Sequence, residues 1–375
     1  MFIYQINFIF IVLWAFLFCF HKPSKIKNIV FLILSFGQMF LLSIFRVNIG
    51  FDYQMYVEGF YRMGMDGFSN LSYLDWEIGF VLFTKVVAFF TKNHIIYLGI
   101  ISLFCLGSSA RFIYKYSRMP WLSTILFVNL YFFYLSMNFL RQFIAIAIIL
   151  FAWGFLKNQK LIPFLIIIAL AATFHTTALI MIAVYVILKI QPSLKLLLLY
   201  CYALVFFYIS SDGFLDLITS VFHQEYRNSI FLQGLSFTYA IFPIIIALVA
   251  MIYKKQLIAL SQSNHYLISL TFLTAFLMTI MSKHAILERF SYYSYIFIIL
   301  LIPEIIYAIA CTNRKISLEQ ITNHNIPILS EINNRYKLLA ILSIFIITYG
   351  VHLYGMFENV HGAFPYSTWL IETVI

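Results

Sequence analysis

The sequence predicts an all-α membrane protein with about 12 to 13 helical spans. Hydrophobic residues make up 63% of its 375 residues and charged residues 10%, whereas a soluble domain carries about 25% charged residues. Apolar runs of about 16–22 residues recur along the chain, close to the length that a helix needs to cross a bilayer. A backbone inside lipid must satisfy its own hydrogen bonds, so these runs are expected to be helices. Residues 1–375 are therefore expected to form a single transmembrane domain.

Lysine and arginine residues indicate which loops face the cytoplasm. The net charge is +10, and most cations lie in short loops, where cytoplasmic orientation and anionic lipid account for them. The clearest marker is HKPSKIKN at 21–28, with three lysines. Run 2–20 is therefore expected to be the first span, with the amino terminus outside. Because topology and lipid explain the charge, we expect no nucleic-acid partner.

Two polar segments are expected to form outer loops that contribute to a site, at 46–76 and 211–235. The first is too long and too polar to be a simple turn. Its charged residues are Arg46, Asp52, Glu58, Arg62, Asp66 and Asp75, and Glu77 follows directly.

The runs at 76–90 and 95–113 do not fit the alternation of inner and outer loops. If both crossed the membrane, the cations Arg111, Lys115 and Arg118 would lie outside, against the charge rule. One of the two runs is therefore expected to be re-entrant or to lie flat, and the segment 77–91 is the shorter.

Arg141 lies in NFLRQFIAIAII, at the start of an apolar helix. A charge that faces lipid near mid-membrane costs a few kcal/mol, so the side chain is expected to face protein or a water-filled cavity. A guanidinium matches a phosphate or carboxylate in a two-pronged geometry, and a helix amino end adds to that attraction. The alternative is an arginine that reaches to the membrane interface or pairs with a nearby acid.

His175 and Arg289 each have a structural and a functional interpretation. His175, in ATFHTTALIMI, either packs between helices through a hydrogen bond, or donates to a phosphate oxygen or moves a proton near neutral pH. Arg289 follows Glu288 and precedes FSYYSY at 290–295. It either pairs with Glu288 or binds an anion beside rings that could stack on sugars.

Asp52 lies in FRVNIGFDYQMY between two aromatic residues, six positions after Arg46. It is interpreted as a general base, as an acceptor for a hydroxyl, or as the ion-pair partner of Arg46. Arg46 could in turn be a phosphate ligand. With the loops assigned as above, these two residues fall on the same, outer side as Arg141, His175 and Arg289.

Several motifs that would indicate other chemistry are missing from the sequence. It has no GxxxxGK phosphate loop, so ATP is not expected to drive the protein. No acidic cluster resembles a divalent-metal cage, and the four cysteines lack zinc spacing. We therefore expect no metal and no cofactor, and three arginines on one face suggest a cationic site in place of a metal at a diphosphate.

Six motifs along the chain together resemble the EpsG-type branch of the Wzy-like polysaccharide polymerases. Their order and approximate spacing fit over nearly the whole chain. The motifs are FRVNIGFDYQMY, WEIGFVLF, NFLRQFIAIAI, FHTTALIMIAVY, ERFSYYSYIFIILLIP and FPYSTW.

The resemblance implies a glycosyltransferase that joins repeat units carried on undecaprenyl diphosphate, at the outer face of a bacterial inner membrane. A chain-length regulator protein and membrane lipid are further expected partners. The resemblance implies that the position of Glu288 varies in the family, so no catalytic role is expected for it. The residues expected to be catalytic are Asp52, Arg141, His175 and Arg289. The residues expected to bind substrate are Arg46, Tyr53, Tyr292 and Tyr366.

Two other functions fit parts of the sequence. A ligase of the O-antigen type would use the same donor and nearly the same site, but would transfer a finished glycan to a different acceptor. A flippase or transporter would also have about a dozen helices, yet the chain lacks the internal repeats that such proteins usually have.

Overall fold

The structure is a computed structural model that describes residues 2–20, 24–68, 70–222, 236–283, 285, 288–312 and 334–368. Within these ranges it has seventeen α-helices and no β-strand, so the predicted all-α class is confirmed. The helices of the first half are α1 (Phe2–Ala15), α2 (Lys25–Ile44), α3 (Tyr53–Asp66), α4 (Ile78–Phe90), α5 (His94–Tyr116), α6 (Pro120–Asn129), α7 (Phe132–Asn138), α8 (Leu140–Lys157) and α9 (Leu161–Ala172). Those of the second half are α10 (Ile180–Ile187), α11 (Leu194–Phe222), α12 (Thr238–Ile252), α13 (Lys254–Leu260), α14 (Asn264–Met281), α15 (Glu288–Tyr295), α16 (Ile298–Thr312) and α17 (Asn334–Phe357).

Six of the described helices are long and apolar enough to cross a membrane, and the number rises to nine if each of three bent pairs is one span. The bent pairs are α6 with α7, α12 with α13, and α15 with α16. Four shorter apolar helices are also present. A multi-pass membrane protein is thus confirmed, whereas a count of 12 to 13 would require the shorter helices to cross as well and stays a prediction.

The first predicted outer loop is largely helical. Helix α3 occupies its centre, and α4 follows it with 13 residues. At the rise of an α-helix, α4 is about 20 Å long and too short for a hydrocarbon core of about 30 Å. Helix α5, with 23 residues, is long enough to cross. These lengths favour α4 as the run that does not cross fully.

The second predicted outer loop, 211–235, is described only in part. Helix α11 continues through its first residues to Phe222, and residues 223–235 lie outside the described ranges.

The chain divides into two compact units. The first comprises Met1–Leu179 and Ile341–Ile375, and the second comprises Ile180–Ala340. In the first, α2 packs against α5, α5 against α8, α8 against α9, and α3 against α4. In the second, α14 is central and contacts α11, α12, α13, α15 and α16.

Local sequence explains where several of these helices begin and break. Ser24 caps α2 by accepting a hydrogen bond from the backbone of Lys27 at 3.2 Å. Pro120 stands at the first position of α6, where its missing N–H is not needed. The chain bends by 53° between α6 and α7, where Tyr131 adopts a left-handed conformation with φ of 69°.

In the second unit, Glu304 lies buried in the middle of α16. The side chain of Asn264 donates to its carboxylate at 3.0 Å and to the backbone oxygen of Leu257 at 2.9 Å. The acid therefore helps to hold the short helix α13 beside α14 and α16.

Candidate functional site

Three separate parts of the first unit meet at the carboxylate of Glu77. The residue precedes α4, and its oxygens contact the start of α8 and the segment between α9 and the following 3₁₀ turn, Thr176–Leu179. Arg141 donates from Nη1 to Oε2 of Glu77 at 2.6 Å. Nδ1 of His175 lies 2.9 Å from Oε1, and the backbone N–H of Thr176 donates to the same oxygen at 3.0 Å. We call Glu77, Arg141 and His175 the Glu77 cluster.

A close backbone approach places Glu77 in this cluster. The N–H of Gly79 donates to the carbonyl of Thr173 at 2.8 Å. A Cβ at Gly79 would lie 2.7 Å from that same carbonyl oxygen, which a real side chain cannot do without displacing backbone. Glycine at this position therefore allows the start of α4 to approach the segment that carries His175.

Trp76 fixes the other side of the cluster. Its ring lies 5.6 Å from the guanidinium carbon of Arg141, a cation–π distance. The ring also occupies the space in which a Cβ at Gly59 would stand, 2.5 Å from the nearest ring atom. Helix α3 therefore packs against Trp76 through Gly59. Tyr56 on the same helix also contacts Trp76, with 5.4 Å between the ring centres.

Charge keeps Glu77 ionised. Burial favours the neutral carboxyl, but the hydrogen bond with His175 and the charge of Arg141 outweigh it and lower the pKa of Glu77 to about 2. An ionised carboxylate only accepts hydrogen bonds, so Nδ1 of His175 must carry a proton. Nε2 is thereby left as the nitrogen that faces away from Glu77.

The Glu77 cluster is mostly buried but not fully enclosed. The side chains of Arg141, Glu77 and His175 are 17%, 10% and 9% exposed. Nε of Arg141 is buried and makes no hydrogen bond within the described part of the chain. Because Nη1 of Arg141 forms an ion pair with Glu77, the predicted alternative of an arginine paired with an acid is present in the structure.

Arg46 is held without a carboxylate. Its side chain is 2% exposed, and its guanidinium donates to the backbone oxygens of Ser43 and, at 3.5 Å, of Met137. The ring of Tyr53 lies 5.9 Å from the guanidinium carbon. No acid among the described residues forms an ion pair with Arg46, and burial lowers its pKa to about 10, so it remains charged at neutral pH.

Asp52 begins α3 on a loop that follows Arg46. The backbone N–H of Asp52 lies 3.3 Å from Oδ1 of Asn138, and Gly50 has a positive φ of 96°. A Cβ at Gly50 would lie 3.1 Å from the backbone of Met137 and Asn138. The Asp52 loop therefore rests on the end of α7, three residues before Arg141.

The carboxyl-terminal segment Ala363–Thr368 packs along the same loop. Val47 donates to the carbonyl of Ser367 at 3.1 Å, and Ser367 returns a bond from its hydroxyl to the carbonyl of Val47. Tyr366 donates from its hydroxyl to the carbonyl of Leu42 at 3.0 Å. Tyr366 thus supports the backbone around Arg46, and its predicted contact with substrate stays a prediction.

Arg289 and Tyr292 lie on α15 in the second unit. The hydroxyl of Tyr292 donates to Oε1 of Glu288, and the charges of Glu288 and Arg289 interact. The expected meeting of Arg289 with Arg46 and Arg141 stays a prediction, as do the catalytic and binding roles of all these residues.

The structure adds Glu77 to the residues that the sequence singled out. The sequence offered one signal, since Glu77 is the only charged residue in the motif WEIGFVLF. Its partners are 64 and 98 positions away, so only the folded chain identifies them. Among the described residues, no group of three or more His, Cys, Asp or Glu side chains could hold a metal ion.

These features define a multi-pass α-helical membrane protein whose first unit contains a Glu–Arg–His cluster and a buried arginine that forms no ion pair with any described acid. Residues 29–321, more than half of the chain, match the model of the EpsG family. The chain belongs to the EpsG family, and this membership supports a role of the polymerase type in polysaccharide biosynthesis. No curated protein and no solved structure matches the chain.

Proposed function

We propose that this protein is a glycosyltransferase that polymerises oligosaccharide repeat units carried on undecaprenyl diphosphate, at the outer face of the bacterial inner membrane. The observation that carries the proposal is the joining of Arg141 and His175 through Glu77, close in the chain fold to the loop of Arg46 and Asp52. Membership of the EpsG family supports the same class of reaction.

The leaving group explains why the site needs cations. The growing glycan is linked through its anomeric carbon to the lipid diphosphate. When that carbon–oxygen bond breaks, its electron pair stays on the diphosphate oxygen and negative charge accumulates there. Arg141 and Arg46, already oriented by their contacts, stabilise this charge without reorganising. His175, with Nδ1 held by Glu77, donates from Nε2 to the same diphosphate when it is protonated.

The acceptor is a hydroxyl at the non-reducing end of a new lipid-linked unit. Its oxygen attacks the anomeric carbon and forms the new glycosidic bond, and its proton passes to Asp52. Asp52 directly precedes α3. Its backbone N–H donates a hydrogen bond to Oδ1 of Asn138, which fixes its loop. Glu77 acts as a positioning residue, because its carboxylate orients both the guanidinium and the imidazole.

The test is a chromosomal Arg141→Ala variant, with the surface polysaccharide sized by electrophoresis and the lipid-linked units extracted. Loss of one such charge-stabilising donor costs about 3–4 kcal/mol, or roughly 100- to 1,000-fold in rate. We expect the ladder of repeat numbers to vanish and single repeats to accumulate on the carrier, at unchanged protein level.

Arg62→Ala is the matched control, since Arg62 is an exposed arginine on α3 and should leave the ladder intact. A normal ladder in Arg141→Ala would count against the proposal. Repeat units that are still polymerised, with a polymer that is not transferred to a separate acceptor, would identify a ligase instead. Single repeats trapped at the inner face would identify a flippase.

A further inference from the structure

An apolar groove runs along the first unit between α2 and α5, apart from the Glu77 cluster. It has a volume of about 430 Å³, within the range of ligand pockets. Its walls include Ile33 and Leu103, which are 66% and 61% exposed. In a membrane protein such side chains face lipid, so the groove opens towards the bilayer.

Two glycines create the space. Gly37 on α2 and Gly107 on α5 both line the groove, and a Cβ at either position would meet nothing within 4 Å. Neither glycine therefore serves close packing of the two helices within this unit. The contrast is Gly99 on α5, where a Cβ would lie 2.8 Å from the side chain of Ile44.

The contacts between α2 and α5 show how the two helices run relative to each other. The end of α2 meets the beginning of α5 at Ile44 and Gly99, and the groove joins Ile29 near the beginning of α2 to Tyr114 near the end of α5. The helices are therefore antiparallel, and the groove reaches the end at which α2 begins and α5 ends.

That end is strongly basic. Arg111 lines the groove, and its guanidinium carbon lies 4.8 Å from the ring of Phe151, which orients it. The segments at this end, 24–29 and 110–119, contain five cations and no acid. The cations are Lys25, Lys27, Arg111, Lys115 and Arg118.

We propose that this groove binds an anionic phospholipid of the inner leaflet, with an acyl chain along Gly37 and Gly107 and the phosphate at Arg111. An apolar channel that ends at a cation matches a molecule with an apolar chain and an anionic head. Basic sites between transmembrane helices on the cytoplasmic side bind such headgroups. Lysine-rich loops place this end of α2 and α5 at the cytoplasm.

The experiment uses the full-length protein in detergent, titrated with phosphatidylglycerol or with zwitterionic phosphatidylcholine, and counts retained lipids by native mass spectrometry. The wild type should retain one phosphatidylglycerol about fivefold more tightly than phosphatidylcholine, since a cation near a lipid headgroup contributes about 1 kcal/mol. Gly107→Leu and Gly37→Leu should lose this lipid, because the leucine fills the groove. Arg111→Gln should keep a lipid but lose the preference for phosphatidylglycerol.

Lys160→Gln is the control for charge, because Lys160 is exposed at the start of α9 and does not line the groove. It should bind like the wild type. Circular dichroism and gel filtration report whether each variant is folded. If one of the two leucine variants is misfolded, the other still tests the groove.

Three results would overturn the proposal. The first is equal retention of phosphatidylglycerol by the wild type and both leucine variants. The second is a change from dimer to monomer in those variants without loss of lipid, which would make the groove a contact between two copies. The third is displacement of phosphatidylglycerol by undecaprenyl phosphate at lower concentration, which would assign the groove to the carrier lipid.

Discussion

Arg141 and Arg46 belong to the same unit, but different chemical groups hold them. Arg141 is bonded to the carboxylate of Glu77 at 2.6 Å and remains 17% exposed. Arg46 is 2% exposed and is held by two backbone carbonyls and the ring of Tyr53. A carboxylate balances the charge of its arginine, whereas carbonyl dipoles and rings orient a guanidinium without cancelling its charge.

Under the proposed function, this difference predicts different roles for the two arginines. Arg46 is surrounded by backbone carbonyls and tyrosines and keeps its positive charge without an acid, so in the proposed reaction its contribution is electrostatic. Arg141 offers geometry, because Glu77 fixes the direction of its guanidinium and that of the His175 ring. Substitutions at Glu77, Gly79 and Tyr366 test this difference, in decreasing order of expected effect.

Glu77→Gln removes the charge that balances Arg141 while keeping nearly the same shape. Breaking a buried ion pair from one side costs about 3–5 kcal/mol, and partial exposure reduces this to roughly 2–4 kcal/mol. We expect that loss in the free energy of unfolding, measured by denaturant titration in mixed micelles. Glu58→Gln, on the exposed face of α3, should change stability by less than about 0.5 kcal/mol. Equal stability of the two variants would show that Glu77 does not hold the cluster together.

The same carboxylate should make stability depend on acid. Its pKa in the folded protein is about 2, below the unfolded value of about 4.3, so the unfolded chain binds the proton first. The stabilisation is complete above about pH 5 and is lost as the pH falls towards 2. Between about pH 6 and pH 3 we expect a loss of about 2 kcal/mol in the wild type. In the Glu77→Gln variant, the free energy of unfolding should fall less steeply over this pH range. An unchanged pH dependence would assign the effect to other acids.

Gly79→Ala tests the close approach that brings Glu77 to His175. The new Cβ would press against the carbonyl of Thr173, so we expect a loss of about 1–3 kcal/mol in the free energy of unfolding. Gly107→Ala on α5 meets open space and should gain about 0.5–1 kcal/mol from helix propensity. The two substitutions are therefore expected to change the free energy of unfolding in opposite directions. If both raised it, the close approach at Gly79 would not require glycine.

Tyr366→Phe gives the smallest expected effect. It deletes the hydroxyl that bonds to the carbonyl of Leu42 near Arg46, a net loss of about 1 kcal/mol. Tyr354→Phe is the control, because Tyr354 is 44% exposed. A thermal shift assay should detect destabilisation in the first variant alone. Identical melting temperatures would indicate that the carboxyl-terminal segment does not support the Arg46 loop.

Candidate residues were easier to find in the sequence than their partners. Arg141, His175 and Arg46 are conspicuous because charge is rare in this chain, at 10% of residues. Glu77 directly follows a predicted loop that has six charged residues, so its position alone does not distinguish it. The sequence also gave no indication that α3 would occupy the centre of that loop, or that Tyr366 would bond to backbone beside Arg46.

Composition together with the length of the apolar runs determined that this is an all-helical protein of the membrane, because runs of about 20 residues within lipid must satisfy their own backbone hydrogen bonds. Motif order along the chain determined the resemblance to the EpsG family. The folded chain was needed to show that Glu77 joins Arg141 to His175, and that Arg46 is held by carbonyls and a ring in place of an acid. Those pairings depend on packing between helices that are distant in sequence, where the missing side chain of Gly79 permits a close backbone approach and the ring of Trp76 fills the space beside Gly59.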